Sequence, residues 1–178
     1  MEAFRALAAQ PVKPKRTIRV VLFSGEEQGL YGSKAYVKAH AAELAQHQAV
    51  LIEDSGTAPI KGWNLQGRQD LRPLVAQAVA DANELGVREL SLETALDSDH
   101  APFLPEGVPA FFARKDFDEY IKVTHHSQVD TFDHAKPEEL LQNAQALAAT
   151  AWGLANLDTR LPHVKPAAEP QATATHGH

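Results

Sequence analysis

Two adjacent glutamates are the residues of this sequence best suited to do chemistry. Glu26 and Glu27 directly follow an apolar run and lie between Gly25 and Gly29. Two neighbouring side chains cannot both point the same way, so one carboxylate could bind a metal ion while the other faces a substrate. That arrangement suits metal-assisted hydrolysis, in which a carboxylate takes a proton from a metal-bound water. A pair of solvated glutamates before a helix, where the dipole favours negative charge, is the alternative interpretation.

Two further acidic positions come later in the chain. Asp54 ends a second apolar run and begins the stretch Asp-Ser-Gly-Thr, which is also ordinary turn chemistry. Asp99 and His100 stand side by side before Ala-Pro. Such a pair can brace a metal site from behind its ligands, orient another side chain, or form a local turn.

A pair of histidines completes the set of candidate side chains. His125 and His126 lie in the segment Thr-His-His-Ser, and Asp130 follows shortly after them. A neutral imidazole is a good zinc ligand, and a nearby carboxylate can hold the ring in the required orientation. Adjacent loop histidines without any function are the competing interpretation.

The composition limits which kinds of metal site and partner are possible. The chain has 178 residues, of which 44% are hydrophobic and 22% charged, as in one ordinary globular domain. It has no cysteine, so any metal must be held by His, Asp and Glu. The net charge of -6, with no basic patch interleaved with aromatics, argues against a nucleic-acid partner. No apolar stretch approaches the ~20 residues that a bilayer span needs.

Hydrophobic patterning and punctuation predict alternating strands and helices. Apolar runs predict strands at 17–24, 48–53 and 108–113, the first of them covered on both faces. Periodicity and cap residues predict helices at 1–10, 33–46 with Ser33 as N-cap, 70–86 with Gly86 as C-cap, and 137–156 with Pro137 in the first turn. The Pro/Ala/Thr-rich tail, 162–178, is predicted to be disordered.

This order of elements predicts an α/β domain with a central sheet. In such sheets function collects at the loops that leave the carboxyl ends of the strands. Three predicted strand exits therefore bring Glu26 and Glu27, then Asp54, then His126 to one edge. Carboxylates and an imidazole together compose an oxygen/nitrogen zinc site without thiolates.

Four motifs in this order resemble the family-28 metallopeptidases: FSGEEQGLYGSKAYV, EDSGT, SDHAPFLPEGVPAFF and THHSQVDTFD. These are co-catalytic zinc exopeptidases that include bacterial aminopeptidases and a carboxypeptidase Q-like branch. The second and fourth motifs resemble the carboxypeptidase Q-like branch most. The resemblance runs from Glu2 to Leu161. It implies a mixed central sheet flanked by helices on both faces, two zinc ions, and removal of N-terminal residues from peptides or dipeptides.

The resemblance also implies a role for each candidate. Glu26 corresponds to the general base that deprotonates the metal-bridging water. Glu27 and His126 correspond to ligands of one zinc, and Asp54 to a ligand of the second. The remaining candidates are expected to support these ligands from behind: Asp99, His100, His125 and Asp130.

The chain departs from the family pattern at its start. Family members carry a histidine and a metal-bridging aspartate upstream of the first helix. Residues 1–161 are therefore expected to be the C-terminal part of the catalytic domain. Such a fragment is expected to be inactive alone, unless another chain supplies these ligands. Ala95, Leu96 and Asp97 stand where some members have a tyrosine.

A non-catalytic scaffold module and a single-zinc aminoacyl cyclase of the same fold stay open as alternatives. Met1–Gln10 resembles an amphipathic helix and not a signal peptide; the family suggests a secreted or periplasmic location.

Overall fold

A four-stranded mixed sheet forms the centre of the fold. The computed structural model describes residues 1–165. The strands are β1 (Val50–Ile52), β2 (Gly62–Asn64), β3 (Glu89–Ser91) and β4 (Ala110–Arg114). Their order is β1-β4-β2-β3; β1 runs parallel to β4 and β2 parallel to β3, whereas β2 and β4 are antiparallel.

Within residues 1–165, four α-helices surround this sheet: α1 (Glu2–Ala8), α2 (Tyr31–Ala39), α3 (Arg72–Ala78) and α4 (Pro137–Asn156). Helix α4 has the predicted bounds, with Pro137 at a position where the missing N–H costs nothing. The predicted helix 70–86 becomes α3 followed by a tighter turn, Ala80–Leu85, and it ends as expected at Gly86 with φ 91°.

Alternation along β4 explains why both faces of the sheet are covered. Phe111 and Ala113 point into the larger core, where they pack with Trp63 of β2 and with α3 and α4 residues. Ala110 points the other way, into a smaller core with Phe103 and Leu44. The predicted α/β class with helices on both faces is therefore confirmed.

The predicted strand at 17–24 is wrong for the part of the chain that the structure describes. From Thr17 to Phe23 no backbone group bonds to another backbone group of residues 1–165. Val20 and Leu22 are 42% and 77% exposed, although the apolar run predicted burial on both faces. A strand exists only through its neighbour, and none of the described segments pairs with this one.

Two anchors nevertheless hold this unpaired segment in place. At its start, the Arg16 guanidinium donates to the carbonyls of Ala155 and Leu157, at 3.1 and 2.6 Å, where α4 has unpaired acceptors. At its end, Phe23 packs against the smaller core. The turn that follows, with Glu26 and Glu27, therefore starts from a defined position.

The second helix differs from its prediction. Helix α2 begins at Tyr31, two residues before the predicted Ser33 cap, and Leu30 precedes it in a left-handed conformation. The Ser33 hydroxyl instead donates back to the Leu30 carbonyl at 3.2 Å. The helix also ends early, at Ala39, and the rest of the predicted span holds only a short turn, Leu44–Gln46.

The other strands and the tail agree with the sequence in part. The predicted strands at 48–53 and 108–113 correspond to β1 and β4, whereas β2 and β3 were not predicted. Residues 162–165 contact the body, for example through the Lys165–Glu106 ion pair. The prediction of disorder for residues 166–178 lies outside the described residues.

Candidate active site

Glu27 and His126 meet across a sequence separation of 99 residues. The His126 Nε2 lies 2.9 Å from Glu27 Oε1, and both side chains are largely exposed. An imidazole nitrogen and a carboxylate at this distance are the donor types that zinc takes in a site without thiolates.

The turn that contains Glu26 and Glu27 is hydrogen-bonded to the start of α2. The Glu26 carbonyl accepts from the N–H groups of Gly29 and Leu30, at 2.9 and 2.8 Å, and Gly32 N–H donates to the Ser24 carbonyl at 2.8 Å. A side chain at Gly32 would lie 2.5 Å from that same carbonyl oxygen, so the close approach requires glycine. This packing fixes the backbone from which Glu26 and Glu27 project.

Asp54 follows β1 and is held by a serine from another loop. The Ser98 hydroxyl donates to Asp54 Oδ2 at 2.6 Å. The neighbouring Glu53 pairs with the fully buried Lys115 ammonium, which also donates to the Gly56 carbonyl at 2.8 Å. The loop after β1 is therefore fixed on both sides of Asp54.

Glu26 lies among other carboxylates. Partial burial raises its pKa above the ordinary value, and the negative charges of Asp54, Glu27, Asp99 and Asp97 raise it further, in that order. A carboxyl group whose pKa is raised holds a proton more readily, which is the property of a group that shuttles protons in catalysis.

Asp99 and His100 are buried beside this cluster. The His100 Nε2–H donates to the Ala95 carbonyl at 2.7 Å, which fixes the tautomer, and burial lowers the pKa of the ring. Within residues 1–165, Asp99 Oδ1 and His100 Nδ1 have no hydrogen-bond partner. Asp130, by contrast, is exposed and makes no side-chain hydrogen bond to either histidine in the described part of the chain.

The histidine segment does not leave β4 directly. Ten residues intervene, ending in a π-helical turn, Tyr120–Thr124, and His126 has φ 52°, in the left-handed region. Non-glycine residues rarely adopt this conformation. The structure, and not a simple strand exit, therefore determines where His126 stands.

Tyr120 lies beside the candidate residues, and sequence reasoning missed it. Burial raises its pKa, and the charges of Asp54, Glu27 and Glu26 add to the effect. It also lines a cavity of about 400 Å³ together with Asp130 and other residues of the same loop. No sequence signal identified it, because a lone tyrosine five residues before a histidine pair implies no mechanism by itself.

The described residues match zinc in donor type but not in number. Among residues 1–165 no three His, Asp or Glu side chains lie close enough together to hold a metal ion. Glu27 and His126 supply two, whereas a catalytic zinc normally takes three protein ligands. The unpartnered buried Asp99 oxygen and the carboxylates around Glu26 favour a cation here, but the ligand set is incomplete.

A model of peptidase family M28 matches residues 1–151 of this chain. The chain belongs to that family. Among curated relatives, carboxypeptidase Q from Rattus norvegicus is 29% identical over 161 residues, and the human carboxypeptidase Q is 26% identical over the same length. Each match covers 90% of this chain but 34% of the relative, so the chain spans about a third of their length.

Solved structures of two bacterial proteins share the fold. The peptidase M28 precursor from Shewanella amazonensis has 35% identity and a TM-score of 0.84, over 93% of this chain and 37% of that one. BSAP, a zinc aminopeptidase from Bacillus subtilis, has 25% identity and a TM-score of 0.69, over 89% of this chain and 40% of that one. None of the helices in the described residues is both long and apolar enough to cross a bilayer.

Proposed function

We propose that this chain carries part of the active site of a zinc exopeptidase of the aminopeptidase or dipeptidase type. The observation that carries the proposal is the Glu27–His126 pair, at 2.9 Å, beside a glutamate whose pKa is raised by surrounding carboxylates. The zinc aminopeptidase among the structural neighbours supports the choice of metal. In this proposal the substrates are peptides or dipeptides, as in the family.

Each residue has a definite task in this proposal. Glu27 and His126 would bind one zinc, Asp54 would bind a second, and Glu26 would be the general base. Bound zinc supplies Lewis acidity that polarises a carbonyl and acidifies a water. Ser98 keeps one Asp54 oxygen engaged, which leaves the other free to face the cluster.

Glu26 would accept a proton from the attacking water and return it to the leaving amine. The carboxylates around it favour the protonated state, so the proton is held until it is delivered. Four supporting residues would orient the ligands or stabilise the loops that bear the ligands: Asp99, His100, His125 and Asp130.

The remaining ligands come from outside the described residues in our proposal. With two protein ligands for one ion and one for the other, neither site reaches three. A carboxylate that would bridge the two cations and offset their mutual repulsion is not among the residues that we assign. We therefore expect the 178-residue product to be nearly inactive and to bind zinc weakly.

The test compares two histidine–glutamate pairs in the same protein. Glu27→Gln and His126→Ala should each weaken zinc binding, measured by competition with a chelator. His134→Ala is the matched control, because His134 Nδ1 lies 3.1 Å from Glu119 Oε1 in a similar pair. Equal effects at both pairs, or no zinc binding at all, would contradict the proposal and favour a scaffold module.

A second measurement addresses the incomplete site. The purified chain is assayed for bound zinc and for turnover of aminoacyl and dipeptide substrates. Two tightly bound zinc ions with robust turnover would show that the site is complete without outside ligands. Cyclisation of an N-terminal glutamine substrate without hydrolysis would instead support the aminoacyl cyclase alternative.

A further inference from the structure

Three aromatic rings form a column that ends at the Glu27–His126 pair. The ring centroids of Tyr120 and His125 are 4.8 Å apart, and those of His125 and His126 are 4.0 Å apart and stacked. The last ring places its Nε2 2.9 Å from Glu27. Packing thus passes from Tyr120 to the imidazole that we assign to zinc.

The other side of Tyr120 rests on the loop that bears Asp54. A Cβ added at Gly56 would lie 3.0 Å from Tyr120 Cδ2 and 3.3 Å from Tyr120 Cβ. The Tyr120 side chain therefore packs directly against the Gly56 backbone. Gly56 also has φ +67°, which a side chain would strain. Because Asp54 is two residues away, the same ring sets the spacing between this loop and the histidines.

The backbone beneath the column is unusual as well. The His125 N–H donates to the Tyr120 carbonyl at 2.7 Å, across a π-helical turn. The left-handed φ of His126 costs free energy and persists only where the surroundings determine it. Irregular turns of this kind are often found at functional sites.

We propose that Tyr120 is a positioning residue that holds His126 opposite Glu27 by packing between Gly56 and His125. Its ring, and not its hydroxyl, carries this role, since the described contacts are all made by ring or backbone atoms. The consequence for zinc rests on the proposed function, whereas the consequence for the His126–Glu27 contact does not.

The metal-free chain provides the first test. The ¹⁵N resonance of His126 Nε2 reports its hydrogen bond to Glu27 and can be followed by NMR at fixed pH. Tyr120→Ala and His125→Ala should shift this resonance towards its position in Glu27→Gln. Tyr120→Phe and His125→Phe keep an aromatic ring in the column and should leave it unchanged.

Zinc affinity provides the second test. Loss of a group that orients a metal ligand typically weakens metal binding about 10–100-fold, and we expect Tyr120→Ala to fall in that range while Tyr120→Phe stays at the wild-type value. Val75→Ala is the control, because Val75 of α3 is fully buried in the larger core, which contains none of the column residues. It should lower the melting temperature without changing zinc affinity.

The outcomes separate the positioning role of Tyr120 from the proposed function. A wild-type chain that binds no zinc but shows the NMR pattern keeps the positioning role and removes the metal assignment. If Tyr120→Ala leaves the His126 resonance in place, the positioning role is refuted. If Tyr120→Phe behaves like Tyr120→Ala, the hydroxyl and not the ring is responsible, and the packing argument is refuted.

Discussion

Ser98 from the loop before residues 101–106 donates a hydrogen bond of 2.6 Å to the Asp54 carboxylate after β1. The serine is almost fully buried whereas Asp54 is exposed, so this bond joins two strand-connecting loops at the edge of the buried interior. It is the contact that orients Asp54 within the carboxylate cluster.

Replacement of Ser98 by alanine should therefore destabilise the protein. A hydrogen bond to a charged acceptor is worth about 1.5–3 kcal/mol, and we expect a loss near the lower end because Asp54 itself is partly solvated. Urea unfolding measures the change. Ser127→Ala is the control, since Ser127 donates only to the Val123 carbonyl within its own loop, and it should cost less.

The buried His100 should make the protein sensitive to acid. Burial lowers the pKa of its ring, so the unfolded chain binds a proton more readily than the folded one. The free energy of unfolding is therefore undiminished above about pH 6.5, the pKa of histidine in the unfolded chain, and it declines as the pH falls below that value.

Unfolding free energies measured between pH 7.5 and 5 check this expectation. His100→Gln keeps an amide that can donate to the Ala95 carbonyl but cannot titrate, so it should flatten the decline. His163→Gln, at an exposed position on the surface, is the control and should keep the wild-type slope. An unchanged slope in His100→Gln would contradict the role of this histidine.

Glu26→Gln should separate catalysis from metal binding. In a longer form of the chain that hydrolyses peptides, the amide cannot take the proton, so turnover should fall at least ~10²-fold while zinc content stays constant. Steady-state kinetics and metal analysis check the two halves of the expectation. If zinc were lost and activity survived, the roles of Glu26 and Glu27 would be exchanged.

The unpaired segment Thr17–Phe23 should make the isolated chain self-associate. Its backbone groups make no backbone hydrogen bonds within the described residues, and Leu22 is 77% exposed. Both features favour pairing with a second copy of the chain. Leu22→Lys should increase the monomer fraction in sedimentation velocity. Leu141→Lys is the control, because Leu141 is exposed on α4; an equal effect there would show that general surface charge is responsible.

Local chemistry by itself determined several elements of the fold. Pro137 and the apolar periodicity after it defined α4, and Gly86 marked the end of its segment through a left-handed φ. Continuous apolar runs located β1, which is half-buried, and β4, which is buried on both faces. The order of the four motifs also indicated peptidase family M28, to which the match over residues 1–151 assigns the chain.

Tertiary structure decided what depends on distant partners. The run at 17–24 has strand-forming residues, but a strand needs a neighbour and the described chain supplies none. Strands β2 and β3 contain no apolar run, since their sequences are Gly-Trp-Asn and Glu-Leu-Ser, and they exist because β4 pairs with β2 and β2 with β3. Tyr120 joins the site only because a π-helical turn stacks it on His125 against Gly56. Local propensity acts over a few residues, whereas pairing and packing join residues far apart in the chain, so sequence alone does not reveal them.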